Sequence, residues 1–302
     1  MGISGLLFLA CTQERIEVAP SGPVAEEEAL QQALGAGFRF STYGPDYDPG
    51  PGYWAGVGQQ MAARFDGSVP ESIWIVGRLH GEGSLLNFPA ETDEPLIEVS
   101  EKDGNEAALT LFDTIGLRVW LQVEPGNAPV GELIHLMLDH YGHHPSVIGA
   151  GVDVEWYRSI DKPEGQAVTD EEALEWLAAA RSHNPEYRLF LKHWEIEMMP
   201  PTVREGLFFI DDSQILPSLD AMVEEFAEWG RAFAPAPVGF QYGYASDQPW
   251  WEQLEDPPAD IGQRILDSVP NARGLYWVDF TVLDVFPPES EDPYTATSVE
   301  PQ

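Results

Sequence analysis

Eight short runs rich in β-branched and aromatic residues recur along the chain: 38–44 (FRFSTYG), 72–80 (SIWIVGRLH), 118–126 (RVWLQVEPG), 147–157 (VIGAGVDVEWY), 187–194 (YRLFLKHW), 207–214 (LFFIDDSQ), 237–244 (PVGFQYGY) and 274–281 (GLYWVDFT). Each reads as a strand, because branched and aromatic side chains suit a pleated, buried surface. Most of the intervals have helical spacing or helix-former composition: YWAGVGQQMAARF, NEAALTLFDTIG, VGELIHLMLDHYG, TDEEALEWLAAARSHN, SLDAMVEEFAEWGRAF and PADIGQRILDSV. Thr169 with Glu172 three residues on has capping-box spacing, and Ser218 is placed to cap the helix after the sixth strand. Strand alternating with helix eight times predicts an α/β fold, a parallel (β/α)8 TIM barrel over residues 37–286. Between the fifth and sixth strands, EIEMMPPTVREG leaves room only for a short helix. An open doubly wound α/β sheet is the alternative; it does not need eight repeats, and no glycine-rich phosphate loop follows the first strand.

The ends read differently. Residues 1–11, MGISGLLFLAC, are an apolar run closing on the only cysteine. They resemble the end of a bacterial lipoprotein signal peptide, which implies lipidation of Cys11 and an extracytoplasmic protein, lipid-anchored or secreted. No other stretch approaches the roughly 18 to 20 apolar residues of a membrane span. Residues 12–36 read as a linker and N-terminal helix, and 287–302 as a disordered acidic, proline-bearing tail. A lone cysteine excludes an internal disulfide and any multi-cysteine metal site.

Charge narrows the partners. Fifteen basic residues face 51 acidic ones, a net charge of −36, and the only lysines are Lys102, Lys162 and Lys192. Such a surface repels nucleic acid and anionic lipid headgroups, so no nucleic-acid partner is expected, and a membrane is met only through the Cys11 anchor. The acidity serves solubility, or it marks a halophilic habitat in which salt screens self-repulsion.

Period-two alternation then sorts the strand residues. On the fourth strand Ile148, Ala150, Val152, Val154 and Trp156 form an apolar face toward the helices, while Gly149, Gly151, Asp153 and Glu155 point into the barrel with the acids last. On the third, Arg118, Trp120, Gln122 and Glu124 share a face; on the eighth, Trp277 and Asp279 do. The fifth strand ends in Lys192, His193 and Trp194, the sixth in Asp211 and Asp212, the seventh carries Gln241, and the second ends in Arg78 and His80. Polar groups therefore gather where barrel strands end, the position of catalytic groups in this architecture. Crowded carboxylates raise one another's proton affinity, so at least one should stay protonated near neutrality.

Carboxylates flanked by aromatics suit glycosidic bond cleavage: one acid protonates the leaving oxygen, another group stabilises the oxocarbenium ion, and rings stack on sugars. GVDVEWY resembles the fourth-strand signature of glycoside hydrolase family 18 chitinases and related barrels, and GLYW resembles that family's eighth-strand tryptophan segment. The resemblance implies Glu155 as proton donor, Asp153 as its helper for a substrate N-acetyl nucleophile, and Trp277 beneath the sugar. A two-carboxylate mechanism uses Glu155 as acid with Glu124 or Asp212 as base or nucleophile. The expected substrate-binding residues are Tyr43, Arg78, Lys192, Trp194, Asp211, Gln241, Tyr242, Trp277 and Asp279, the partner is a carbohydrate, and no cofactor is expected.

Two other readings use the same rim. Glu124, Asp153, Glu155, His193 and Asp211 or Asp212 could ligate a divalent metal in a barrel isomerase or hydrolase. A non-catalytic glycan-binding barrel is the other. His143 and His144 fall in a helix-to-strand loop at the opposite end and read as solvated, while PWW at 249–251 is either a sugar platform or a core staple.

The charge carries its own prediction. Thermal unfolding at low and at molar salt should show the midpoint rising with salt, as screening weakens repulsion among surface carboxylates. A midpoint that does not rise removes the halophile reading.

Overall fold

The computed structural model describes residues 33–288 apart from 161 and 164. The signal-like segment with Cys11, most of 12–36 and most of the tail lie outside these residues. In chain order the strands are β1 (Gly35–Phe40), β2 (Val69–His80), β3 (Gly83–Leu86), β4 (Ile97–Val99), β5 (Arg118–Val123), β6 (Val147–Asp153), β7 (Arg188–Lys192), β8 (Leu207–Asp211), β9 (Val238–Tyr242) and β10 (Ala272–Val278). β1 pairs in parallel with both β2 and β10, and the series β2, β5, β6, β7, β8, β9, β10 is parallel throughout. The sheet therefore closes on itself as an eight-stranded parallel barrel with no open edge among those strands.

The helices are α1 (Pro51–Ala62), α2 (Glu106–Ile115), α3 (Val130–Tyr141), α4 (Asp170–His183), α5 (Leu219–Phe233), α6 (Gln248–Trp251), α7 (Pro257–Ser268) and α8 (Val282–Val285). Thr169 and Glu172 make the reciprocal capping box at the start of α4, and the Ser218 hydroxyl accepts from the Ala221 amide at the start of α5. Between β7 and β8 there is a single 3-10 turn, Ile196–Met198, as the proline-bearing interval requires. The pair β3 and β4 escapes the eight-run reading, because strands of four and three residues carry too little alternation to register. β3 folds back antiparallel on the end of β2 and β4 pairs with β3, extending the sheet beyond the barrel.

Strand alternation divides the apolar residues into two cores. Phe38, Phe40, Leu121, Val123, Ala150, Val152, Leu189, Leu191, Phe209 and Phe240 join the helices outside. Ile73, Trp120, Phe190, Phe208, Ile210 and Tyr276 fill the barrel itself. Ile148 was expected on the helix side but packs against the inner cluster. The register with β5 shifts between Val147 and Gly149, leaving Ile148 as the extra residue of a bulge that resets the faces.

Beneath the inner core the Glu71 carboxylate is 2% exposed. It pairs with Arg118 and accepts hydrogen bonds from the Trp120 indole at 2.9 Å and the Tyr276 hydroxyl at 2.5 Å. Arg118 thus belongs to this deep plug. A buried carboxylate held by one cation and two neutral donors is satisfied without water.

Gly151 lets the Phe190 ring into the barrel: a Cβ there would stand 2.0 Å from its Cζ. Gly151→Ala should lower unfolding free energy by about 1–3 kcal/mol through overpacking. Adding Phe190→Leu should recover part of that loss. Urea unfolding of the three variants measures both effects, and a Gly151→Ala variant as stable as the parent would contradict the inner packing.

Candidate active site

Lys192, at the end of β7, projects inward after Phe190 and becomes the centre of the rim. Its Nζ lies 3.0 Å from Asp153 Oδ2, 3.5 Å from Glu155 Oε2 and 2.5 Å from Asp212 Oδ2. Gln122 Nε2 donates to Asp153 Oδ2 at 3.2 Å, and the single hydrogen of the Tyr244 hydroxyl has two acceptors in reach, Asp212 Oδ2 and Gln241 Oε1, both at 3.4 Å. β5, β6, β7, β8 and β9 thereby contribute to one charge cluster, because their inward positions fall at the same height around a closed barrel.

Depth separates these groups. The side chains of Asp153, Asp212 and Lys192 are 3%, 4% and 7% exposed, whereas Glu155 is 26% exposed. β6 ends at Asp153, and the 3-10 turn Val154–Trp156 carries Glu155 off the pleat while keeping it within reach of Lys192. Trp156 sits in this turn, half-buried, so it does not continue the helix-facing row expected of it.

Burial pushes the Asp153 carboxyl up, Lys192 pulls it down, and Glu155, Asp212 and Glu124 push it up again; it ends well above the usual carboxylate range. Glu155 is raised by the same balance, burial first, with Lys192 opposing and Asp212 and Glu124 adding. For Lys192 burial favours the neutral amine, but the surrounding carboxylates outweigh it and hold the ammonium well above its ordinary value. A lysine so held is a counter-ion and not an amine nucleophile.

Around this cluster stand two further pairs. Glu124 Oε2 accepts from the Tyr43 hydroxyl and, at 2.8 Å, from the Leu79 amide, which closes Glu124 off at 2% exposure. Arg78 is half-buried, and its charge opposes the rise that burial and Glu124 impose on the Tyr43 hydroxyl. Asp279 Oδ1 meets Arg39 at 3.1 Å, and its other oxygen accepts from the Ser41 amide and hydroxyl at 2.5 and 2.7 Å. Burial nevertheless pushes Asp279 up to about 6, with Arg39 and Ser41 pulling the other way. Among residues with aromatic or apolar surface left open, Trp194 stacks on His193 at 4.2 Å, Phe280 lies under Arg39 at 4.5 Å, and Tyr43 is 47% exposed.

No family model and no curated protein matches this chain. Solved structures with a similar chain path include a β-D-glucuronidase for Dictyoglomus thermophilum (14% identity, TM-score 0.39, 57% of this chain and 35% of that one). Another is endo-glycoceramidase II from Rhodococcus sp. (10% identity, TM-score 0.41, 82% and 73%), and a third is a provisionally named α-L-fucosidase from Bacteroides thetaiotaomicron (9% identity, TM-score 0.42, 89% and 91%). The chain spans about a third of the length of the glucuronidase chain.

Three expected binding residues do not face the cleft. Trp277 is fully buried on the helix side, edge-on to Tyr242 and Trp251, with its indole donating to Thr281 Oγ1 at 3.0 Å. The residue of β10 that enters the barrel is Tyr276. Tyr242 also points outward, its hydroxyl on the Pro258 carbonyl, and the inward tyrosine is Tyr244. Asp211 follows the inward Ile210 and so turns toward α5, accepting from the Ser213 amide beside Glu225; burial raises it well above the usual range. Trp251 packs on Trp277 as a core staple. Arg39, Ser41 and Tyr244 are the rim residues that sequence reasoning passed over; a lone arginine inside the aromatic run FRF was the available signal for Arg39.

The place among Asp153, Glu155 and Asp212 that a divalent ion would fill is occupied by the Lys192 ammonium, which argues against a metal reading of this rim. Lys192→Met should cost about 3–5 kcal/mol at pH 8, because removing one partner leaves buried charge uncompensated. Without the ammonium, the folded carboxyls hold protons to higher pH than the unfolded ones, so stability falls as pH rises above the ordinary carboxylate range. The deficit against the parent should therefore shrink near pH 5. Urea titrations at the two pH values check this, and an equal deficit at both would contradict the cluster.

Proposed function

We propose that the chain is a glycoside hydrolase in which Glu155 is the general acid. What supports the reading is that Glu155 is the accessible member of a buried carboxylate cluster, with its proton affinity raised while its neighbours are closed off. Glu155, with its proton affinity raised, is the group placed to give a proton to the leaving glycosidic oxygen as the bond breaks. The carboxylate that forms lies beside the Lys192 ammonium, and the excess of carboxylates over cations stabilises positive charge developing on the sugar. Asp153, at the end of β6, shares the Lys192 ammonium with Glu155. Glu124 orients Tyr43, and Trp194, Phe280 and Tyr43 offer ring faces to the sugars.

The nearest oxygens of Glu155 and Asp212 approach the same nitrogen and so lie at most about 6 Å apart, under the ~6.5–9.5 Å separations of inverting pairs. This spacing leaves no room for an inverting pair and favours retention with an N-acetyl group of the sugar as nucleophile, since Asp212 is closed off at 4% exposure. Lys192 and Arg39 are both spent on carboxylates, and with Arg78 beside Tyr43 as the further cation the rim still carries more acids than bases, so a neutral or amino sugar suits the cleft better than a uronate.

A panel of polysaccharides with and without N-acetyl groups, assayed for binding and for product release, identifies the substrate and separates catalysis from binding alone. On an active substrate, Glu155→Gln should lower turnover by roughly two to four powers of ten with binding nearly intact. Asp153→Asn should also lower turnover and move the pH profile, since it removes one of the carboxylates that share the Lys192 ammonium with Glu155. Near-parental turnover in Glu155→Gln would sink the assignment.

A further inference from the structure

On the far side of β6 from Asp153 and Glu155, the turn after α3 brings His143 and His144 against Glu106 at the start of α2. One donor atom from each of the three lies within 4.8 Å of the others. His144 is 4% exposed, so it is not the solvated loop residue its position suggests, whereas His143 and Glu106 are exposed.

Each imidazole has one nitrogen already engaged. His144 Nδ1 lies 2.7 Å from Asp113 Oδ2, and Asp113 is itself held by the Ser146 amide at 3.0 Å. His143 Nδ1 lies 2.9 Å from the His140 carbonyl. A carbonyl and an ionised carboxylate only accept hydrogen bonds, so in the neutral rings Nδ1 carries the proton and Nε2 presents its lone pair. That leaves an unusual facing: His144 Nε2 stands 3.2 Å from Glu106 Oε2, an acceptor against an acceptor. Something positive belongs between them, either a second proton on His144 or a cation.

We propose that Glu106, His143 and His144 form a binding site for a divalent transition metal of the zinc type. Two imidazoles and a carboxylate are a borderline-soft donor set suited to zinc, and a histidine ligand whose other nitrogen is anchored by a carboxylate is the usual support for such an ion. The ion would tie α2 to the turn leading into β6, away from the carboxylate rim. It therefore contributes to stability and leaves the rim chemistry to Glu155.

Calorimetric titration of metal-stripped protein with Zn2+ at pH 7.5 should give one tight equivalent, and the thermal midpoint should rise with zinc. His143→Ala and Glu106→Gln alter exposed side chains, so both should keep the parental circular dichroism while losing at least tenfold in zinc affinity. Asp113→Asn, which touches no ion, should also weaken binding about tenfold by releasing the His144 ring. His135 and His183 form another histidine pair, 2.9 Å apart between ring nitrogens. His135→Ala should leave affinity unchanged. The proposal is overturned if the parent takes up no zinc at millimolar concentration, in which case His144 holds a second proton. It is equally overturned if His143→Ala and Glu106→Gln bind as the parent does, or if His135→Ala abolishes the tight equivalent.

Discussion

A single ammonium buried in the barrel mouth holds together what would otherwise fly apart. Asp153, Glu155 and Asp212 converge because barrel closure places the ends of β6 and β8 on either side of β7. Three carboxylates at that depth cannot all remain ionised without a counter-charge, and Lys192 provides one. Burial first, and then the excess of three carboxylates over one cation, raises the proton affinity of Asp153 and Glu155. The cohesion of the cluster and its raised proton affinity thus have the same origin.

The rest of the barrel isolates that cluster. Below it, Trp120, Phe190, Phe208, Ile210 and Tyr276 make a dry layer, and below that Glu71 and Arg118 form a second charge pair, braced by the Trp120 indole and the Tyr276 hydroxyl. Gly151 and Gly239 admit the Phe190 and Phe208 rings into this layer, where any Cβ would collide with them. The apolar layer separates two polar storeys, so the mouth cluster faces solvent on one side only. Water screens the charges from above while the low-dielectric floor strengthens them, which is why the accessible Glu155 still feels Lys192, Asp212 and Glu124.

The architecture was legible because eight apolar runs separated by helix-length intervals leave few topologies. The site was legible in part. Asp153, Gln122, Lys192 and Asp212 fall where alternation puts them, since each stands on a regular strand or one step past its end. Trp277 and Tyr242 were misplaced because a parallel barrel buries both faces: where each row is apolar, composition cannot say which row turns inward. On β10 the inward row carries Tyr276, whose hydroxyl Glu71 needs, and the larger indole goes to the helix side with Trp251. Asp211 and Asp212 look equivalent in sequence, yet one residue of phase sends the first to α5 and the second to Lys192.

The irregular places are also where the chemistry collects. A bulge at Ile148 resets β6 so that Gly151 and Asp153 face inward. β6 then stops at Asp153 and a 3-10 turn presents Glu155; β10 stops at Val278 and a 3-10 turn swings Asp279 onto Arg39 and Ser41. On an unbroken strand Glu155 would stand a further pleat beyond Asp153, nearly 7 Å along the strand and away from the Lys192 nitrogen. Curling the chain at that point keeps it within 3.5 Å while exposing it to the cleft. A pleated strand can bury a carboxylate or display it; ending the strand between two acids lets one be buried and its neighbour displayed, both on the same cation.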